Sequence, residues 1–278
     1  MKKFPAPALI LLLCALAVLA GCGHRQTDGT QTDGQTAYTP DTGYTVGAAT
    51  VTQLNGFRSI DIEWISGQVN VELYDGEGIE LSETLADGGA VSVPMEWRVD
   101  EDDSTLDILS QPLTVSASEK KHLTVKLPRS MVLHELDIHT VSADVSVDLT
   151  EEDTLTLQEL DVSSVSGNVS VSAANAGEIS LSTTSGAVSG SVRTAKLEAD
   201  TVSGTVALTL EVLPTELEVE TVSGGITLML TEKPAVAVDV VFRTVSGQLD
   251  SDVDSTVGAD CVWELETTSG DAVIRITA

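Results

Sequence analysis

The feature that most constrains this chain is a phase error that recurs eight times. In Leu217-Glu-Val-Glu-Thr-Val-Ser-Gly224 the apolar positions Leu217 and Val219, continued by Thr221, keep the period of two expected of a strand. Beyond them the alternation slips by one residue, to Val222, Gly224, Ile226, Leu228 and Leu230. A one-residue slip exchanges the two faces of a strand unless the chain bends there. The same slip occurs in the copies that begin at Ile60, Leu136, Leu160, Ile179, Leu197, Val240 and Trp263. Each copy predicts a corner between two strands at its Thr-Val-Ser-Gly tetrapeptide, with the apolar face held inward through the turn.

The corner serines are Ser66, Ser142, Ser166, Ser185, Ser203, Ser223, Ser246 and Ser269, and from Ser142 the gaps are 24, 19, 18, 20, 23 and 23 residues. A period near 20 with two short strands per repeat predicts an all-β solenoid, a β-helix, spanning residues 50–278. The gap of 76 residues between Ser66 and Ser142 leaves room for three degenerate turns, with Leu106-Asp-Ile108 and Leu123-Thr-Val-Lys-Leu127 as their strands. The expected total is about 11 coils, a rod of about 50 Å at the usual strand spacing. Stacking would align the serines in one ladder, and Thr140, Ser164, Thr183, Thr201, Thr221, Thr244 and Thr267 in another, with Trp64 in the threonine column. Hydroxyls donate and accept, so such ladders can satisfy themselves from coil to coil. The glycines Gly67, Gly167, Gly186, Gly204, Gly224, Gly247 and Gly270 close the tetrapeptides, and Ala143 stands in their place once. Glycine suits a bend where a Cβ would clash or φ is positive. A repeated serine in one register could mark a binding face, but the ladder is read as structural, because it sits where the bend frees backbone groups.

Ahead of the repeats, Met1-Lys2-Lys3 precedes an apolar run from Ala8 to Ala20 that ends in Leu19-Ala20-Gly21-Cys22. Two lysines and a short hydrophobic stretch have the layout of a secretory signal, and the run is short of the roughly 20 residues a spanning helix needs. The pattern before Cys22 is that of a lipobox. Residues 1–21 are expected to leave as a signal peptide, and Cys22 to carry diacylglycerol and a further acyl chain such as palmitate, since stable anchoring takes more than one chain. Residues 22–49 hold almost no aliphatic side chains and read as a flexible tether of about 30 Å reach. The expected location is extracytoplasmic, on a cell membrane.

Without the signal, 12 basic residues face 43 acidic ones, a net charge of −31. Such a surface repels nucleic acid and anionic headgroups and favours cationic partners. Cys261 would be the one thiol left without a partner, and its phase with Trp263 and Leu265 suggests a small buried side chain.

Catalytic and metal chemistry find no constellation. Ser118-Glu-Lys-Lys121 fits Ser-x-x-Lys, but it stands in a loop without its partner motif. His134 and His139 fall on opposite faces of one strand, which argues against a shared metal. Asp250-Ser-Asp-Val-Asp254 has Ser255 and Cys261 where an EF-hand loop needs Gly and Glu. No cofactor is expected, and no enzymatic activity.

The array of Thr-Val-Ser-Gly corners resembles a bacterial family of candidate adhesins with a β-helical domain of unknown function. So does Leu123-Thr-Val-Lys-Leu-Pro128 leading into Leu136-Asp-Ile-His-Thr-Val-Ser. The resemblance implies a right-handed β-solenoid at the cell envelope and brings no catalytic residues with it. The expectation is a lipid-anchored, adhesin-like module that binds or scaffolds an envelope protein or glycan. The alternative is a sensor or decoy for cationic agents such as antimicrobial peptides.

Overall fold

The computed structural model describes residues 43–52, 57–89, 91–110, 120–150, 155 and 157–277, so Cys22, the signal segment and Ser118 lie outside the described residues. Eighteen strands follow one another: β1 (Thr45–Val46), β2 (Ala49–Val51), β3 (Ser59–Tyr74), β4 (Ile79–Leu85), β5 (Glu96–Asp100), β6 (Thr105–Leu109), β7 (Lys121–Pro128), β8 (Glu135–Asp148) and β9 (Leu157–Ser164), then β10 (Val169–Thr183), β11 (Val188–Thr201), β12 (Val206–Leu210), β13 (Glu216–Thr221), β14 (Ile226–Leu230), β15 (Val238–Ser246), β16 (Leu249–Ser251), β17 (Cys261–Ser269) and β18 (Ala272–Ile276). No helix occurs among the described residues.

Parallel pairing sorts most of these strands into two columns, one on either side of the corners. The first column runs β6, the first half of β3, the first half of β8, β9, the second halves of β10 and β11, β13, β17 and β15. The second runs β7, the second halves of β3 and β8, the first halves of β10 and β11, β12, β14, β18 and β16. The result is a solenoid-like all-β fold. Register sets like residues above one another. Ile60, Leu136, Leu160, Ile179, Leu197, Leu217 and Trp263 form one inward column, and each is at most 1% exposed. A single layer buries too few side chains to offset its backbone ordering, so the layers are stable only as a stack.

The structure corrects three expectations. There are nine two-strand layers among the described residues rather than about 11, so the stack is about 40 Å long. Leu106-Asp-Ile108 and Leu123 to Leu127 do lie on stacked strands, but together they make one layer, β6 with β7. The rest of the long gap folds back antiparallel, β4 on β7 and β5 on β6, with β2 on β4 and β1 on β5. These strands cover an edge that would otherwise be open to pairing with another chain. Beneath them Lys121 is buried, its Nζ 3.2 Å from Glu83 Oε2 and donating to Val93 O at 2.9 Å, over the Trp64 ring.

Layer order is the second correction. After β14 the chain skips a level, builds the outermost layer β15–β16, and returns to insert β17–β18 in the gap. Trp263 lies between Leu217 and Val240 and is fully buried, with its Nε1 donating to Pro214 O at 3.0 Å. The outermost level suits β15 better, where Val240 and Phe242 are only partly buried and Val245 is 84% exposed. Residues 252–260 then fold over half of its free edge. Ser255 Oγ accepts from Val240 N at 2.9 Å, and Thr256 N donates to Val238 O at 2.7 Å.

Third, the corner valine turns outward. Thr221 is buried, Val222 is 44% exposed, and inward packing resumes at Ile226.

Candidate functional site: corner ridge and outward faces

Each corner has an inner and an outer hydroxyl, and they do different work. The inner column is Thr140, Ser164, Thr183, Thr201, Thr221 and Thr267, all buried and stacked in register, with Trp64 above Thr140. Thr244 continues it on the exposed end layer. Thr201 Oγ1 donates to Gly186 O at 3.2 Å and accepts from Gly204 N at 3.0 Å. Thr183 does the same with Gly167 O and Gly186 N. Thr140, Ser164, Thr183 and Thr201 therefore each close their own turn and tie it to a neighbouring layer, and Thr221 and Thr267 reach the glycine carbonyl of one.

The outer column is the serines. Ser142, Ser166, Ser185, Ser203, Ser223, Ser246 and Ser269 are exposed, and Ser66 is half-buried. Ser166 Oγ donates to Val141 O at 3.2 Å, and Ser203 Oγ reaches Thr184 O at 3.5 Å. Those carbonyls already accept the backbone N–H of the same serines, at 2.9 and 3.0 Å. The serine hydroxyl is a second donor to a satisfied acceptor, open to water. Thr201→Val should accordingly cost about 1–3 kcal/mol by leaving two buried partners unmet. Ser203→Ala should cost under about 0.5 kcal/mol. Chemical denaturation compares the two, and equal costs would contradict this assignment of the inner column.

The glycines complete the corner. A Cβ on Gly167, Gly186, Gly204, Gly224, Gly247 or Gly270 would stand 1.6 to 2.0 Å from a carbonyl oxygen of the adjoining layer. Close approach sets glycine at those six positions. Gly67 alone of the corner glycines also has positive φ, +109°. Ala143, below it in register, is accommodated without exposure.

The two outward faces differ in chemistry. On the first column Asp107, Asp61, Asp137 and Asp161 stack in register, and Glu198, Glu218 and Glu264 continue the same row beyond Ser180. A parallel row holds Asp200, Glu220 and Glu266. Neighbouring strands lie about 4.8 Å apart, so like charges crowd. Burial, with Glu135 and Asp161 next, raises the Asp137 carboxyl to about 7. Burial, followed by Glu198 and Glu218, raises Asp200 to about 8. Burial, followed by Asp200, raises Glu220 to about 8. Asp61 and Asp161 are also raised by burial, and His139 opposes both shifts.

The second column's outward face is mostly small and uncharged in its middle: Ser170, Ser189, Ala207 and Thr227 follow in register. Toward the antiparallel end it opens into a shallow groove of about 450 Å³, whose lining includes Asn70, Glu72, Ser82, Thr124, Lys126 and Asp148.

The remaining singled-out residues are engaged elsewhere. His139 Nδ1 bonds Ser163 Oγ at 2.6 Å. Lys121 is held in its buried ion pair. Asp250 and Asp252 flank Arg275, which holds the Asp250 carboxyl below its ordinary range. Cys261 is buried with its thiol on Pro214 O, and burial pushes that thiol up. No group of three or more His, Cys, Asp or Glu among the described residues is arranged to hold a metal ion.

A family model described as Toastrack DUF4097 matches residues 57–277. No curated protein matches the chain. Among solved structures, a candidate adhesin from Bacteroides fragilis is 14% identical, with TM-score 0.46, over 86% of this chain and 99% of that one. A candidate cell adhesion protein from Clostridium sporogenes is 12% identical, with TM-score 0.42, over 84% and 100%. A candidate lipid binding protein from Parabacteroides distasonis is 13% identical, with TM-score 0.44, over 86% and 98%.

Proposed function

The chain belongs to the Toastrack DUF4097 family, and on that premise we propose that it is a non-enzymatic, adhesin-like module, anchored at the cell envelope by a lipid on Cys22, that binds or scaffolds through its outward faces. The observation that carries this reading is the polarity of the stack. The strands that continue from the N-terminal segment, β1 and β2, belong to the antiparallel cap at one end. A tether from Cys22 would join the molecule there. The two outward faces and the β15 end, about 40 Å away, would then point from the membrane. The coil is read as right-handed, as parallel crossovers almost always are. The −31 charge and the carboxylate rows favour a second reading, capture of cationic envelope-active agents.

Pull-down from intact envelopes with the full chain carrying Cys22→Ser tests the first reading. Specific retention of an envelope protein or glycan supports it, and turnover of a glycan or peptide at enzymatic rates overturns it. Capture of a polycationic peptide that weakens steeply with salt would favour the second reading. The anchor has its own test. Cys22→Ser should abolish acylation, leaving the protein secreted or held uncleaved by its signal. Membrane partition with an acylated N-terminus in that variant would refute the lipobox assignment.

A further inference from the structure

The outward face of the first column holds one acid that water can scarcely reach, among others that are half-buried or exposed. Asp200 is 8% exposed, and its Oδ1 has no hydrogen-bond donor. On the same strand its carboxyl meets that of Glu198, and on β13 the Glu220 carboxyl meets that of Glu218. Two ionised carboxylates have only acceptors to offer each other, so a bond between them requires a proton on one.

The cations nearest the cluster are committed to other carboxylates. β10 presents Ser180 and Ser182 to this cluster, with Glu178 two residues before them on the same strand, and β13 presents Glu216, Glu218 and Glu220. One layer further, β17 adds Glu264 and Glu266, and β9 adds Glu159 and Asp161. Lys196, on the same strand as Asp200, is tied to Glu178, and Arg243 on β15 is tied to Glu264 at 3.0 Å. His139 lies on β8, bonded to Ser163.

We propose that this carboxylate ladder is a pH-responsive seam: Asp200, Glu220 and their neighbours hold shared protons across the middle layers, and their ionisation loosens the stack between β11 and β13. The direction follows from proton counts. In the folded chain burial and the neighbouring carboxylates raise Asp200 and Glu220 to about 8, so between them they hold protons well above the ordinary carboxylate range. In the unfolded chain such groups lose them near pH 4. Between those limits the folded state binds more protons, so stability falls as pH rises and levels off above about 8. Acidification of the surroundings would tighten the solenoid. Because each layer is held only by its neighbours, a weakened β11–β13 contact sets the three outer layers of β13, β17 and β15 apart from the other six.

Thermal unfolding of the full chain and of an Asp200→Asn, Glu220→Gln double variant tests the seam. The parent Tm should rise by about 5 °C or more from pH 8.5 to pH 6. The double variant should unfold higher than the parent at pH 8.5 and should lose most of that slope, since amides hydrogen-bond without ionising. A parent Tm that is flat or rises with pH, or a variant that keeps the full slope, overturns the proposal. Carboxyl-carbon NMR titration of the parent decides independently if the variant fails to fold. At least two side-chain carboxyls should titrate above pH 6.5, and if all do so below pH 5 there is no shared proton and no seam.

Discussion

Trp263→Ala should destabilise the protein by about 3–5 kcal/mol, whereas Phe242→Ala should cost under about 2 kcal/mol. Both aromatics sit at inward positions of C-terminal repeats, and a stack that followed chain order would make Trp263 the more peripheral. The order is reversed. Trp263 is packed between Leu217 and Val240, has no exposed surface, and uses its indole N–H on Pro214 O. Its removal leaves a cavity between two layers and leaves Pro214 O with only the weaker thiol donor of Cys261. Phe242 lies on the outermost strand, partly buried, with β17 as its strand's pairing partner. Chemical denaturation of the two variants, with unchanged denaturant slope as the sign of an intact native state, measures the difference. A Phe242→Ala variant as damaged as Trp263→Ala would mean that β17 does not lie inside the stack. The inserted pair also locks the end: β15 and β16 pair with β17 and β18, so the last strands of the chain leave only when the outer layer does.

That arrangement is not legible in the sequence, for a physical reason. Parallel stacking matches inward apolar residues to one another, and Leu217, Val240 and Trp263 satisfy that match in any order. Strand direction is hidden in the same way. Ile79 to Leu85 and Glu96 to Asp100 have short apolar alternations that would serve in either orientation, and the antiparallel cap emerges only from where the chain can turn. What phase could reveal, it did. It placed the strands around Leu217 and Ile226, the corners between them, and Cys261 in the core. It also held the clue to the inner hydroxyl, since Thr221 continues the buried period of Leu217 and Val219 and Ser223 does not.

The acid ladder was half visible. Glu218, Glu220, Glu264 and Glu266 alternate with core residues and had to face outward, and register alone makes them neighbours. That Asp200 would be shut away from water depends on how the corner packs around it, which no periodicity records. The same limit applies to the six close-packed corner glycines. Sequence offers two reasons for a glycine at a bend, a forbidden φ or a missing Cβ, and only the distance between layers chooses between them.

Gly224 and Gly225, adjacent in the chain, separate those reasons experimentally. A Cβ on Gly224 would stand 1.7 Å from Gly204 O, inside the layer-to-layer contact. That oxygen belongs to the backbone of a corner that also accepts Thr221 Oγ1 at 3.4 Å, so it cannot swing aside as a side chain would. Relief requires prying two layers apart at the corner, with loss of the ladder bonds beside it. Overpacking a well-filled site costs about 1–3 kcal/mol and occasionally more, and a backbone clash belongs at the upper end. Gly224→Ala is therefore expected to cost about 3 kcal/mol or more. Gly225, one residue on, has only Asp271 O within 4 Å of its Cβ position, at an ordinary 3.6 Å. Its φ lies outside the positive region that disfavours side chains. Gly225→Ala should be neutral within about 0.5 kcal/mol, or stabilising by up to about 1 kcal/mol through the loss of unfolded-state freedom. Denaturant unfolding of both single variants against the parent gives the answer. If Gly224→Ala were as mild as Gly225→Ala, the corners would not be held at backbone contact, and the repeated glycine would need another cause.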